Sequence, residues 1–123
     1  MDKLKALSKN LLIEVVDVDQ WDVYVTLIRA RDGSKYTIRL RCDKGYPLYP
    51  PSVVFVNPNN YKTEDLQFWP ADGERAFKKS SNPPFICIPG IREYHERHTG
   101  VQFATRDVAL TKIVAELVTM MNR

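Results

Sequence analysis

Trp21-Asp22-Val23-Tyr24-Val25-Thr26-Leu27-Ile28-Arg29, then Arg31-Asp32-Gly33-Ser34, then Lys35-Tyr36-Thr37-Ile38-Arg39-Leu40-Arg41-Cys42 is the stretch that decides the fold. Val23, Val25 and Leu27 recur at every second position. So do Tyr36, Ile38, Leu40 and Cys42, with Lys35, Thr37, Arg39 and Arg41 between them. A period of two is the signature of a strand with one face on a core. Asp32-Gly33 joins the two runs, because Asp-Gly accepts positive φ cheaply. The pair predicts a β-hairpin, with Thr37 and Arg39 outward and Cys42 in the core.

Working outward, Leu11 to Val18 is rich in β-branched residues and predicts a strand before the hairpin. Residues 2–9 predict a short helix with Leu4, Leu7 and Leu11 on one face. After the hairpin, Gly45-Tyr46-Pro47-Leu48-Tyr49-Pro50-Pro51 predicts a rigid loop, because its prolines fix φ and remove amide donors. Tyr46 and Tyr49 are expected to pack against the sheet. Ser52 to Val56 is a fourth strand, ended by Asn57-Pro58-Asn59-Asn60. Leu66 to Trp69 reads as a short strand stopped by Pro70, Ala71 to Glu74 as a turn, and Lys78 to Asn82 as an exposed polar run. A helix from about Asp107 to Met121 closes the chain. Leu110, Ile113, Val114, Leu117 and Met121 form its apolar stripe, Thr105 is its N-cap, and Asp107 suits its positive end.

The fold class expected is α+β: a four-stranded antiparallel meander flanked by an N-terminal and a C-terminal helix. Its 123 residues make one domain, able to bury a core without staples. The net charge of +3, from 18 basic and 15 acidic residues, is too mild to argue nucleic-acid binding. No apolar run approaches a membrane span. The first residues lack the apolar block of a signal peptide, and two cysteines are too few for a disulfide framework, so a cytoplasmic compartment is expected.

The chemistry concentrates in Pro83-Pro84-Phe85-Ile86-Cys87-Ile88-Pro89-Gly90-Ile91-Arg92-Glu93-Tyr94-His95-Glu96-Arg97-His98. Cys87 has two readings: a small buried hydrophobe, or a nucleophile framed by prolines and a glycine. A histidine beside a thiol lowers its pKa or serves as a base, and the same histidines also read as polar surface in a charged run. Cys87, His95 and His98 together raise a zinc reading, but their spacing matches no common zinc pattern and a fourth ligand is missing.

The order of elements, with the proline loop Gly45 to Phe55 and then Ile86-Cys87-Ile88, resembles the ubiquitin-conjugating enzymes. That family has a tyrosine-proline, aromatic, proline-proline loop before its fourth strand and an isoleucine-cysteine-leucine active site after it. The resemblance covers residue 1 to about 90, and more loosely the C-terminal helix. It implies a ubiquitin-conjugating-like fold and a carrier transferase with Cys87 at the thioester-forming position. Its partners would be a ubiquitin-like protein, the activating enzyme and a protein substrate. No metal or organic cofactor, nucleic acid or membrane is implied. The family's histidine-proline-asparagine motif is absent, and the spacing from proline loop to cysteine is longer. Pro89-Gly90 and Tyr94-His95 look like the divergent bacterial branch, in which the histidine follows the cysteine. Under this resemblance His95 is the first candidate to support aminolysis, with Tyr94, Asn82 and His98 behind it. The alternative is a catalytically inert module of the same fold that binds a ubiquitin-like protein.

Overall fold

The computed structural model describes residues 12–43, 49–63, 65–70, 76–97 and 110–122. Strands β1 (Ile13–Val18), β2 (Asp22–Ile28), β3 (Lys35–Arg41) and β4 (Ser52–Val56) form one antiparallel sheet in chain order. A 3-10 turn spans Leu66–Phe68. Two short strands, β5 (Phe77–Lys78) and β6 (Phe85–Ile86), pair antiparallel as a second sheet. Helices α1 (Arg92–Arg97) and α2 (Leu110–Met121) complete the α+β architecture. The expected helix over 2–9, Tyr46, the turn Ala71 to Glu74, Thr105 and Asp107 lie outside the described residues.

The hairpin that fixes the register forms as its sequence dictates. Val25 pairs with Ile38 and Leu27 with Tyr36. Gly33 has φ +72, and Asp32 Oδ1 accepts the Ser34 N–H at 2.9 Å. Val23, Val25, Leu27, Ile38, Leu40, Val53 and Phe55 bury one face of the sheet. Helix α2 covers that face with Ile113, Val114, Leu117 and Met121. Asn122 then ties the end of the helix to the hairpin: its Oδ1 accepts the Ala30 N–H at 2.8 Å and its Nδ2 donates to the Ile28 carbonyl at 3.3 Å.

The opposite face departs from the expected solvent exposure. Thr37 is 4% exposed, and its hydroxyl lies 3.0 Å from that of Thr26. Tyr24 is buried under Tyr61, with ring centroids 3.8 Å apart. Asp22 accepts two bonds from Arg41, at 2.7 and 2.9 Å, and this guanidinium holds the Asp22 carboxyl below the usual carboxylate range. Alternation located the faces, but polar pairing lets the second face be buried as well.

Three other expectations change. Leu66 to Trp69 is a 3-10 turn instead of a strand, closed by Trp69 N–H to the Leu66 carbonyl at 3.0 Å. This turn leaves Leu66 exposed and sends Trp69 edge-on to Phe55, 5.0 Å between centroids. Lys78 is half-buried in β5, because Phe77 beside it enters the core. Tyr49 is 62% exposed and does not pack on the sheet. Phe55 lies at the centre of the aromatic packing, edge-on to Tyr36, Trp69 and Phe77. Phe55→Ala is expected to cost about 3–5 kcal/mol, read by chemical denaturation.

Candidate functional site

Cys87 lies between β6 and α1. Its N–H donates to the Ala76 carbonyl at 2.6 Å, extending the β5–β6 pairing by one bond. The Ile88 N–H then returns to the Ile86 carbonyl at 3.1 Å, so Cys87 is the middle residue of a three-residue turn. Ile86 and Ile88 are buried, and Cys87 between them is half-buried. A fully buried Cys87 is therefore not what the fold produces. Next, Ile91 N–H donates to the Ile88 carbonyl at 3.3 Å around Pro89-Gly90. Gly90 has φ +96, which proline followed by glycine supplies in a type II turn.

Helix α1 begins at the end of that turn. Its first bond runs from His95 N–H to the Ile91 carbonyl at 3.3 Å. Two residues at its start dock it on the edge of the main sheet. Glu93 Oε1 accepts the Val53 N–H at 2.9 Å, and Glu93 Oε2 accepts the Ser52 hydroxyl at 2.8 Å. Arg92 donates its N–H to the Pro51 carbonyl at 2.8 Å and its Nε to the Pro50 carbonyl at 3.2 Å, and it pairs with Asp43. At the other end Arg97 donates to the Pro83 carbonyl at 2.7 Å, its guanidinium 4.7 Å from the Phe85 ring centroid. The helix thus spans from β4 to the segment before Cys87.

Four residues were expected to assist Cys87. His95 turns back to the same loop: its Nε2 accepts the Gly90 N–H at 3.0 Å. Tyr94 packs against the core, and its ring meets that of His95 edge-on at 5.1 Å. Asn82 is exposed in the β5–β6 connection, before a cis bond to Pro83. His98 lies outside the described residues, and among those described no group of three or more His, Cys, Asp or Glu side chains is placed to hold a metal ion. An open cleft of about 320 Å³ lies beside His95, lined by Tyr49, Pro50, Arg92, His95 and Glu96.

Glu93, Arg92 and Arg97 were missed as positioning residues because a charged run reads as solvated surface. The available signal was the spacing Ile91, Tyr94, His95, one face of a helical turn. Cys42 also departs from expectation. It sits just past β3, half-buried, with its N–H on the Trp21 carbonyl at 2.9 Å. Burial pushes its thiol up to about 11.

Compared with protein-family models, curated proteins and solved structures, the chain matches none. Among the described residues no helix is long and apolar enough to cross a membrane.

Two measurements check this geometry. Iodoacetamide is expected to label Cys87 faster than Cys42 near neutral pH, because the Cys42 thiolate is scarce there. Peptide mass spectrometry reads the two rates, and faster labelling of Cys42 contradicts the placement. The second concerns Glu93, whose carboxyl burial holds above the usual carboxylate range. A raised folded value favours the protonated form. Its contribution is therefore complete below the unfolded value, about 4.3, and is lost as pH rises through the folded one. Denaturation of wild type and Glu93→Gln across this window should show the wild type losing ground to the variant as pH rises.

Proposed function

We propose that this chain is a ubiquitin-conjugating-like carrier transferase, built on that family's fold and acting in the cytoplasm. The observation that carries the reading is the placement of Cys87: a half-buried cysteine at the middle of a tight turn, held by buried Ile86 and Ile88. The meander, the Pro50-Pro51 entry to β4 and Ile86-Cys87-Ile88 follow in the order that the resemblance requires. Such a turn presents sulfur to a macromolecular partner while its backbone stays fixed.

In the first step the Cys87 thiolate attacks the thioester carbonyl joining a ubiquitin-like protein to its activating enzyme. A new carbon–sulfur bond forms at Cys87, and the activating enzyme's thiolate leaves. In the second step the amine of a protein substrate attacks the Cys87 thioester, loses a proton and displaces the Cys87 thiolate. Sulfur suits both steps, being nucleophilic near neutral pH and a fair leaving group. Aminolysis further needs a deprotonated amine and a stabilised oxyanion. Support for that step is assigned first to His95, acting through the turn it holds at Gly90, with Tyr94 and Asn82 behind it.

Incubation with ATP, the activating enzyme and the cognate ubiquitin-like protein should add one modifier, removed by reducing agent. Cys87→Ala should form no adduct, and Cys42→Ser should load normally. A thiol-labile adduct on Cys87→Ala removes Cys87 as the carrier. Tight binding of the modifier without an adduct makes the chain an inert binding module.

A further inference from the structure

We infer that His95 is a positioning residue whose neutral imidazole latches the turn following Cys87, and that protonation of the ring opens the latch. The Gly90 N–H donates to His95 Nε2 at 3.0 Å. Gly90 is buried and held at φ +96 between buried Ile88 and Ile91, so its N–H cannot turn to another acceptor without moving the loop. Gly90 is three positions on from Cys87, so their Cα atoms are at most about 11 Å apart. What fixes Gly90 therefore fixes the segment through which Cys87 enters α1.

A neutral imidazole accepts at one nitrogen and carries its proton on the other. With Nε2 accepting, the proton is on Nδ1. The lone pair that a base would use is engaged while this bond stands. A second proton must go on Nε2, where it meets the Gly90 N–H donor to donor, and the bond is lost.

Glu96 and Arg92 on α1 line the cleft beside the ring, and Arg92 pairs with Asp43. The Tyr94 ring meets the imidazole edge-on, and Glu93 is turned away to β4. Tyr49 and Pro50 face His95 across the cleft, which gives the ring access to solvent.

The consequence for a reaction rests on the reading of Cys87 as carrier, but the latch is tested without any modifier. In the ¹⁵N-labelled full chain, followed by NMR from about pH 8 to about pH 5, three results are expected. The neutral ring should be the Nδ1–H tautomer. The Gly90 amide shift should move with the same midpoint as the His95 ring. The protection factor of the Gly90 amide, its exchange rate corrected for the intrinsic pH dependence, should fall about five- to tenfold in acid, the worth of one such bond. His95→Gln, whose side-chain oxygen accepts but does not titrate, should keep the Gly90 amide protected throughout. An Nε2–H tautomer, a Gly90 amide unmoved while His95 titrates, or a titration that survives in His95→Gln overturns the latch. If His95→Gln does not fold, the wild-type titration decides. Failure here leaves the loading assay untouched, and failure of loading leaves the latch intact.

Discussion

An edge strand leaves unpaired backbone groups, and such an edge recruits other chains unless something covers it. Strand β4 is one edge of the main sheet, and α1 covers it: Glu93 accepts from Val53 and Ser52. Arg92 takes the carbonyls of Pro50 and Pro51, which arrive with no amide donors of their own. The position of α1 follows from this requirement. Once α1 is fixed, His95 meets Gly90 and Arg97 meets Pro83 and Phe85. The Cys87 turn is thereby gripped on both sides by one six-residue helix. A helix so short has little stability of its own, so the contacts hold the helix as much as the helix makes them.

The main sheet and α2 were legible because each obeys a local period. Alternation over Val23–Leu27 and Tyr36–Leu40 fixed faces and register, Asp32-Gly33 fixed the turn, and the stripe Ile113, Val114, Leu117, Met121 fixed the helix. Pro89-Gly90 marked the turn after Cys87. What alternation could not tell is whether the second face meets water. Thr26 with Thr37, and Asp22 with Arg41, bury polar groups by pairing across strands, and pairing depends on register, not on composition. The helix α1 was illegible for a related reason. Six residues are too few for a period, and Glu93 looks like surface until β4 lies beneath it. The β5–β6 pair is two residues per strand, too short for any pattern, and Leu66 to Phe68 turns because Trp69 reaches Phe55.

The two cysteines illustrate how placement sets chemistry. Each is half-buried and each carries a free thiol. Cys42 follows a strand and is partly removed from water, which disfavours its thiolate. Cys87 lies in a turn whose flanking isoleucines take the buried positions and leave the sulfur between them. An aliphatic pair around a cysteine thus acts as an anchor here, and the same residues in a longer strand would have buried it.

The link from Asn122 to residues 28–30 also bears on how the chain assembles. Among the described residues, strands β1 to β4 pair only with sequence neighbours, so the meander forms from local contacts, which close rapidly. Helix α2 reaches the hairpin only by closing a loop of some ninety residues, and loop entropy makes that a late event. During synthesis the apolar face of the sheet is thus complete well before residues 110–122 emerge to cover it. Until then Leu27, Ile38 and Leu40 present an open surface, which a growing chain must keep from other chains.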